Sequence, residues 1–206
     1  MEIELLYVSP VLAARVFHYL MTFGALFLVA FIHLKLGSPA EVMNVSHVRH
    51  IRNLHKLILV ALFLSIISGI VCVATALHGK DWSDYVANPK IQMKATDVIA
   101  LILNSILIEL TLLPKLSVGY CVMNTPLHSR VFAIAIMSIS MSSWFWAFAL
   151  GLSRDEWSNA YPLQTFLVLW GVTFFAFFVL GVCRLYFASK AWKEIAVAFT
   201  ETIVPK

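Results

Sequence analysis

Five stretches of almost uninterrupted apolar residues divide the chain, at about 11–36, 56–77, 96–116, 131–152 and 164–188. Each approaches the ~20 residues that a helix needs to cross a hydrocarbon core about 30 Å thick. Peptide groups inside lipid find no water to bond, so each stretch must satisfy its own backbone as a helix. The pattern predicts an all-α integral membrane bundle of about five transmembrane helices, forming one domain over residues 1–206. The connections are too short for a second domain. Ser9-Pro10 reads as the entrance to the first helix, since Pro suits a first turn, and Pro114 interrupts the third near its end. After the fifth span, Ser189–Thr202 reads as a short interfacial C-terminal helix with Trp192, Ile195, Ala196 and Phe199 on one face. Acidic Glu2 and Glu4, rather than a basic segment, precede the first span, which argues against a cleavable signal.

Composition agrees with the pattern. Of 206 residues 61% are hydrophobic and 13% charged, with a mean hydropathy of +0.86. A soluble domain carries roughly 25% charged residues, so these are too few to coat a water-exposed surface. The formal charge of +4 reports orientation rather than a nucleic-acid partner. Ten of the 15 Lys and Arg residues fall on the side of the first loop, the third loop and the tail (Lys35, Arg49, Arg52, Lys56, Lys115, Arg130, Arg184, Lys190, Lys193, Lys206). That bias predicts N-out, C-in, with Trp82 and Trp157 at the outer interface and Trp192 at the inner one. Cys72, Cys121 and Cys183 are dispersed, which argues against a disulfide framework and a thiolate metal site. No nucleophile–base pair, phosphate loop or nucleotide motif is present, so hydrolase and kinase chemistries are set aside.

Candidate chemistry lies in polar residues that the bilayer charges for. An ionisable group within a span costs roughly 2.5–3.5 kcal/mol on insertion scales, and several fall there or at the edges. His18 and His33 are in the first helix, His55 and Lys56 open the second, and His78 closes it. Lys94 stands just before the third helix, which contains Asp97, Asn104 and Glu109. Antiparallel packing of the first two helices allows two level pairs, His18 with His78 and His33 with His55. Facing histidines at one depth are how a bundle supplies axial ligands to a b-type haem. The alternative has His33, His55 and His78 in the interfacial zone, where histidine is cheap. Lys94 and Asp97 are three apart on one helical face and could neutralise each other. Glu109 is either paired with Lys115 or Lys56, or relays protons or balances a cation. Met137 and Met141 could coordinate Cu(I), although Ser138, Ser140, Ser142 and Ser143 interleaved with them suit close helix packing. Trp144-Phe145-Trp146 reads as an anchor at the outer interface or as packing for a flat cofactor. His47-Val-Arg-His50 reads as a basic loop facing lipid headgroups rather than a metal site.

Two stretches resemble a known group. Phe17-His18-Tyr19 followed by Gly24-Ala25 is similar to the opening helix of the bacterial superfamily that joins the membrane protoporphyrinogen oxidases with the copper-resistance D membrane domain. Ser68-Gly69, then the polar hairpin Tyr85-Val-Ala-Asn88-Pro89-Lys-Ile-Gln-Met-Lys94, resembles its glycine-bearing second helix and the lysine that follows. The resemblance covers about the first 117 residues. It implies b-type haem at His18 and Lys94, in a multi-pass protein of the bacterial inner membrane. Three functions are therefore carried forward. The first is a haem-b protein passing electrons or oxidising a porphyrin- or quinone-like substrate, with His18 as axial and metal ligand. In it Lys94, His78, His33 and His55 are further cofactor-side candidates, and Glu109 and Asp97 handle protons. The second is a non-catalytic anchoring subunit among other membrane proteins, favoured by the aromatic crowding of the last two helices. The third is a copper or small-cation carrier using Met137, Met141, His18 and Asp97.

Overall fold

A computed structural model describes the backbone of residues 2–36, 43–76, 81–153 and 161–203, and the side chains of 12–32, 34, 43–75, 81–153 and 161–194. All its regular structure is helical: α1 (Glu2–Leu36), α2 (Val45–Ala76), the short α3 (Trp82–Val86), α4 (Pro89–Thr111), α5 (Leu127–Leu152) and α6 (Leu163–Ile203). Two 3-10 turns, Leu113–Lys115 and Val122–Asn124, lie between α4 and α5. Five of these helices are long and apolar enough to cross a membrane.

The helices begin earlier than the apolar runs. α1 continues through Pro10 instead of starting there; the cost is one hydrogen bond to the preceding turn. α2 begins at Val45 rather than near Lys56, because Asn44 caps it: its side-chain oxygen accepts from the His47 amide at 2.9 Å. His47-Val-Arg-His50 is therefore the opening of a helix, not a loop. α4 begins at Pro89, with the Asn88 side chain accepting from the Lys90 amide at 2.9 Å. Lys94 is thus inside this helix, in its second turn, not ahead of it. Hydropathy marks where a helix meets hydrocarbon, whereas caps mark where the backbone turns helical, and the two differ by several residues here.

α6 has 41 residues, or roughly 61 Å at 1.5 Å per residue. No Gly or Pro interrupts it between Gly181 and Pro205, so the expected C-terminal helix is the continuation of the fifth span. Its Ala188 and Trp192 pack against Cys121 and Met123 of the α4–α5 connection. The side chains of Ile195, Ala196 and Phe199 lie outside the described residues.

α5 occupies the middle, packed against α1, α4 and α6, while α2 leans mainly on α1 and barely meets α4. The seams of α5 explain its serines. Ser138, Ser142 and Ser143 are fully buried and Ser140 nearly so, as expected where helices approach closely in lipid. Trp144 is 2% exposed and belongs to the central core with Ala25, Leu62 and Leu101; it is not an interfacial anchor. Met137 and Met141 pack in the same core. The Trp170 indole N–H donates to Ser143 Oγ at 3.2 Å and that of Trp146 to Thr173 Oγ1 at 3.0 Å, tying α6 to α5.

The two ends of the bundle are fastened differently. At the end where α1 begins, Lys90 Nζ donates to the Ser153 carbonyl at 2.6 Å, closing the C-terminus of α5. At the opposite end, Met43 N–H donates to the Tyr120 carbonyl (3.0 Å) and Gly119 N–H to the Met43 carbonyl (2.8 Å). Gly119 reaches this turn with φ +84°, a left-handed conformation that glycine adopts without strain. Burial pushes the Tyr120 phenol up from its ordinary value, with the Thr125 hydrogen bond opposing it.

Candidate functional site

The polar residues of the spans gather in two layers. The first is near the end where α1 begins. His18 projects from α1 onto α2, and its Nδ1 lies 3.1 Å from the Ser65 carbonyl and 3.0 Å from Ser68 Oγ. A carbonyl only accepts, so Nδ1 carries the hydrogen and Nε2 holds the free lone pair. The Ser68 hydroxyl itself donates to the Ser65 carbonyl at 3.1 Å, which leaves its oxygen to accept from the imidazole. Gly69 lies alongside: a Cβ there would meet His18 Cε1 at 3.9 Å. Ser65, Ser68 and Gly69 thus cradle the ring and fix its tautomer. Lys94 of α4 is close enough to act electrostatically on the ring.

Asp97 belongs to the same end. It is 1% exposed on the buried face of α4, with Lys90, Met93, Leu101 and Asn104. Neither carboxyl oxygen has a hydrogen-bond partner among the described residues. Lys94 and Asp97 are near in sequence but do not form the expected pair. A buried polar group without a hydrogen-bond partner is a cost to the fold.

The second layer is toward the other end. His55 is 4% exposed, and its Nε2 is 3.4 Å from Glu109 Oε1. The contact is electrostatic, since the geometry is not that of an aligned hydrogen bond. Glu109 therefore meets a histidine across the α2–α4 gap, where the sequence had offered Lys115 or Lys56 as one of two alternatives. His55 thus faces α4. The His33 side chain and all of His78 lie outside the described residues, so the two level histidine pairs are not seen. One turn deeper, Asn104 Nδ2 donates to Ser140 Oγ at 2.6 Å and to the Ile136 carbonyl at 3.1 Å. A cavity of about 60 Å³ lies beside His55, bordered by Ser105, Ser140, Met137 and Trp144.

The Asn104–Ser140 bond is the clearest polar link between α4 and α5. A double-mutant cycle with N104A and S140A, measured by reversible unfolding in detergent or bicelles, should give a coupling of about 0.6–1.7 kcal/mol. A coupling of zero would mean that the two side chains do not meet in the membrane.

Among the described residues, no three His, Cys, Asp or Glu side chains come together as a metal-binding group. The sequence reading set His18 level with His78 and His33 level with His55; of these four the structure describes the side chains of His18 and His55, which lie in different layers. It missed Ser65 as a partner of His18, although Ser65 and Ser68 are three apart on one face of α2 at the depth of His18. It also missed His55 as the partner of Glu109. No protein-family profile matches the chain, and no curated protein and no solved structure is significantly similar to it.

Proposed function

We propose that this chain is a membrane haem-b-binding protein that passes electrons or oxidises a porphyrin- or quinone-like substrate, with His18 as an axial ligand. The observation that carries the reading is the hydrogen bond from His18 Nδ1 to the Ser65 carbonyl. Histidines that ligate metals characteristically donate their other ring N–H to a carbonyl or carboxylate, which fixes the ring and raises its basicity. His18 has that arrangement inside a membrane span, with Nε2 left as the donor atom. The residues present fit the group: an imidazole held through Nδ1, a glycine beside the ring and a lysine, Lys94, that would offer positive charge to it. Bound haem would supply one-electron transfer. Ser65 and Ser68 orient the ligand, Lys94 balances negative charge, and Asp97 is a protonatable group one helical turn further along α4.

In this reading the chain lies N-out, C-in in a bacterial inner membrane, with the His18 layer toward the outer leaflet. The excess of basic residues in the first and third connections and the tail supports that orientation. The test is an absorption spectrum of the detergent-purified protein, expressed with ample haem. The expected result is a Soret band that is lost in His18→Ala and weakened in Ser68→Ala, which removes the hydroxyl beside Nδ1. A colourless wild-type protein sinks the reading. If that colourless protein also copurifies with fixed membrane partners, the anchoring-subunit alternative replaces it. Stoichiometric copper on gentle extraction would instead favour the carrier.

A further inference from the structure

We infer that His55 and Glu109, with the cavity beside them, form a hydrated proton-exchange site between α2 and α4. It uses none of the residues around His18 and stands whether or not the protein binds haem. Three observations meet here. The carboxylate of Glu109 is half exposed, whereas the imidazole it faces is 6% exposed, so the pair joins the outside of the bundle to its inside. His55 Nε2 has no hydrogen-bond partner among the described residues beyond this 3.4 Å approach, a separation across which a proton can pass directly from one atom to the other. The adjoining cavity has a volume of about 60 Å³, with Ser105 and Ser140 in its wall. The rest of the wall is mainly apolar, with Ile51, Ile58, Ile108 and Leu112 in it; His55, Ser105 and Ser140 supply the two or more polar partners that a single water there needs.

The proton step balances within the pair. Glu109 Oε–H gives its proton to His55 Nε2, leaving a carboxylate and an imidazolium; the reverse transfer restores two neutral groups. Either arrangement has no net charge, so the move avoids the roughly 2.5–3.5 kcal/mol that an isolated charge costs in the membrane. Loading or releasing a proton through Glu109 changes the charge by one at a position open to the surroundings.

The groups around the pair are few. Arg52 on α2 is turned to the Leu116 carbonyl, 3.2 Å away, and Lys56 and Lys115 are exposed. α1 and α5 present Val29, Ile32, Met137, Ser140 and Trp144 to the cavity, none of which titrates. Among the described residues, the titratable group that faces His55 is therefore Glu109.

The full chain in lipid nanodiscs, labelled with nitrogen-15 histidine, tests this by NMR titration and by infrared difference spectra after a pH change. The expected wild-type result is a carboxyl band that disappears in Glu109→Gln. In that variant the His55 titration midpoint should be displaced by about one pH unit or more, the mark of coupled groups. Ser105→Val, which replaces a polar wall of the cavity, should slow exchange between the His55 ring and water several-fold while leaving the midpoint in place. An unchanged His55 midpoint in E109Q overturns the inference, as does unchanged ring exchange in S105V. Both variants alter positions that are not fully buried, so neither depends on a drastic change in the core. The same measurements on haem-free protein separate this inference from the proposed haem function: a colourless protein with coupled His55 and Glu109 defeats the latter and leaves the former standing.

Discussion

Gly151→Val is expected to unfold the bundle under conditions where the wild type remains intact, because α1 and α5 have no room for a side chain there. A Cβ at residue 151 would lie 2.7 Å from Tyr19 Cε1 and 3.0 Å from Cδ1. The same tyrosine donates its hydroxyl to the Gly151 carbonyl at 2.6 Å. Displacing the ring to relieve the clash therefore also breaks the hydrogen bond. Overpacking costs about 1–3 kcal/mol and the bond about 1 kcal/mol, so Gly151→Ala should lose about 2–4 kcal/mol and Val more. Tyr19→Phe, which removes only the hydroxyl, should lose about 1 kcal/mol. Thermal or denaturant unfolding in a fixed detergent ranks the three. If G151V is as stable as the wild type, α1 and α5 do not approach here.

The second large effect has the opposite sign. Asp97→Leu should make the protein more stable, by about 2–3 kcal/mol, the cost that an ionisable group imposes on a span. The reason is that its carboxyl is 1% exposed and has no partner among the described residues; leucine has the same branching of heavy atoms and removes the unsatisfied oxygens without breaking a hydrogen bond. Asp97→Asn should change stability little, since it exchanges one unpartnered polar group for another. Retaining an aspartate that weakens the bundle makes sense when the carboxyl has work to do, so D97L should combine a gain in stability with loss of whatever redox or transport activity the protein is found to have. A large destabilisation in D97L would instead reveal a partner for the carboxyl, and a structural role.

The spans were legible in the sequence because the bilayer acts on composition over twenty residues, and that average survives local irregularity. Helix limits were not, because caps such as Asn44 and Asn88 act through single hydrogen bonds outside the apolar windows. Depth was readable in part: the level pairs set His18 and His55 at different depths, and the structure finds them in different layers. Azimuth was not. Whether Glu109 turns toward Lys115 along its own helix or toward His55 on another depends on how α2 and α4 are rotated, and that is set by packing around α5. Trp144 illustrates the same gap. Its place in an aromatic run resembles an interfacial belt, yet the close approach permitted by Ser140 and Ser143 takes it into the core.

The central position of α5 also has a consequence for the order of assembly. During synthesis the α1–α2 hairpin has its main contacts as soon as both helices are in the membrane, whereas α4 has little to hold it against α2. Its firm partners arrive later, with Ser140 for Asn104 and Ser153 for Lys90. Until α5 is inserted, α4 carries Asp97 and Asn104 without their protected seam, and α1 lacks the Gly151 ledge for Tyr19. The nascent chain therefore passes through a stage at which three spans are in place but only two are docked. That stage is when a membrane chaperone or a quality-control protease has the most to recognise, and chains that stop before Leu127 should be degraded faster than chains that reach Ser153.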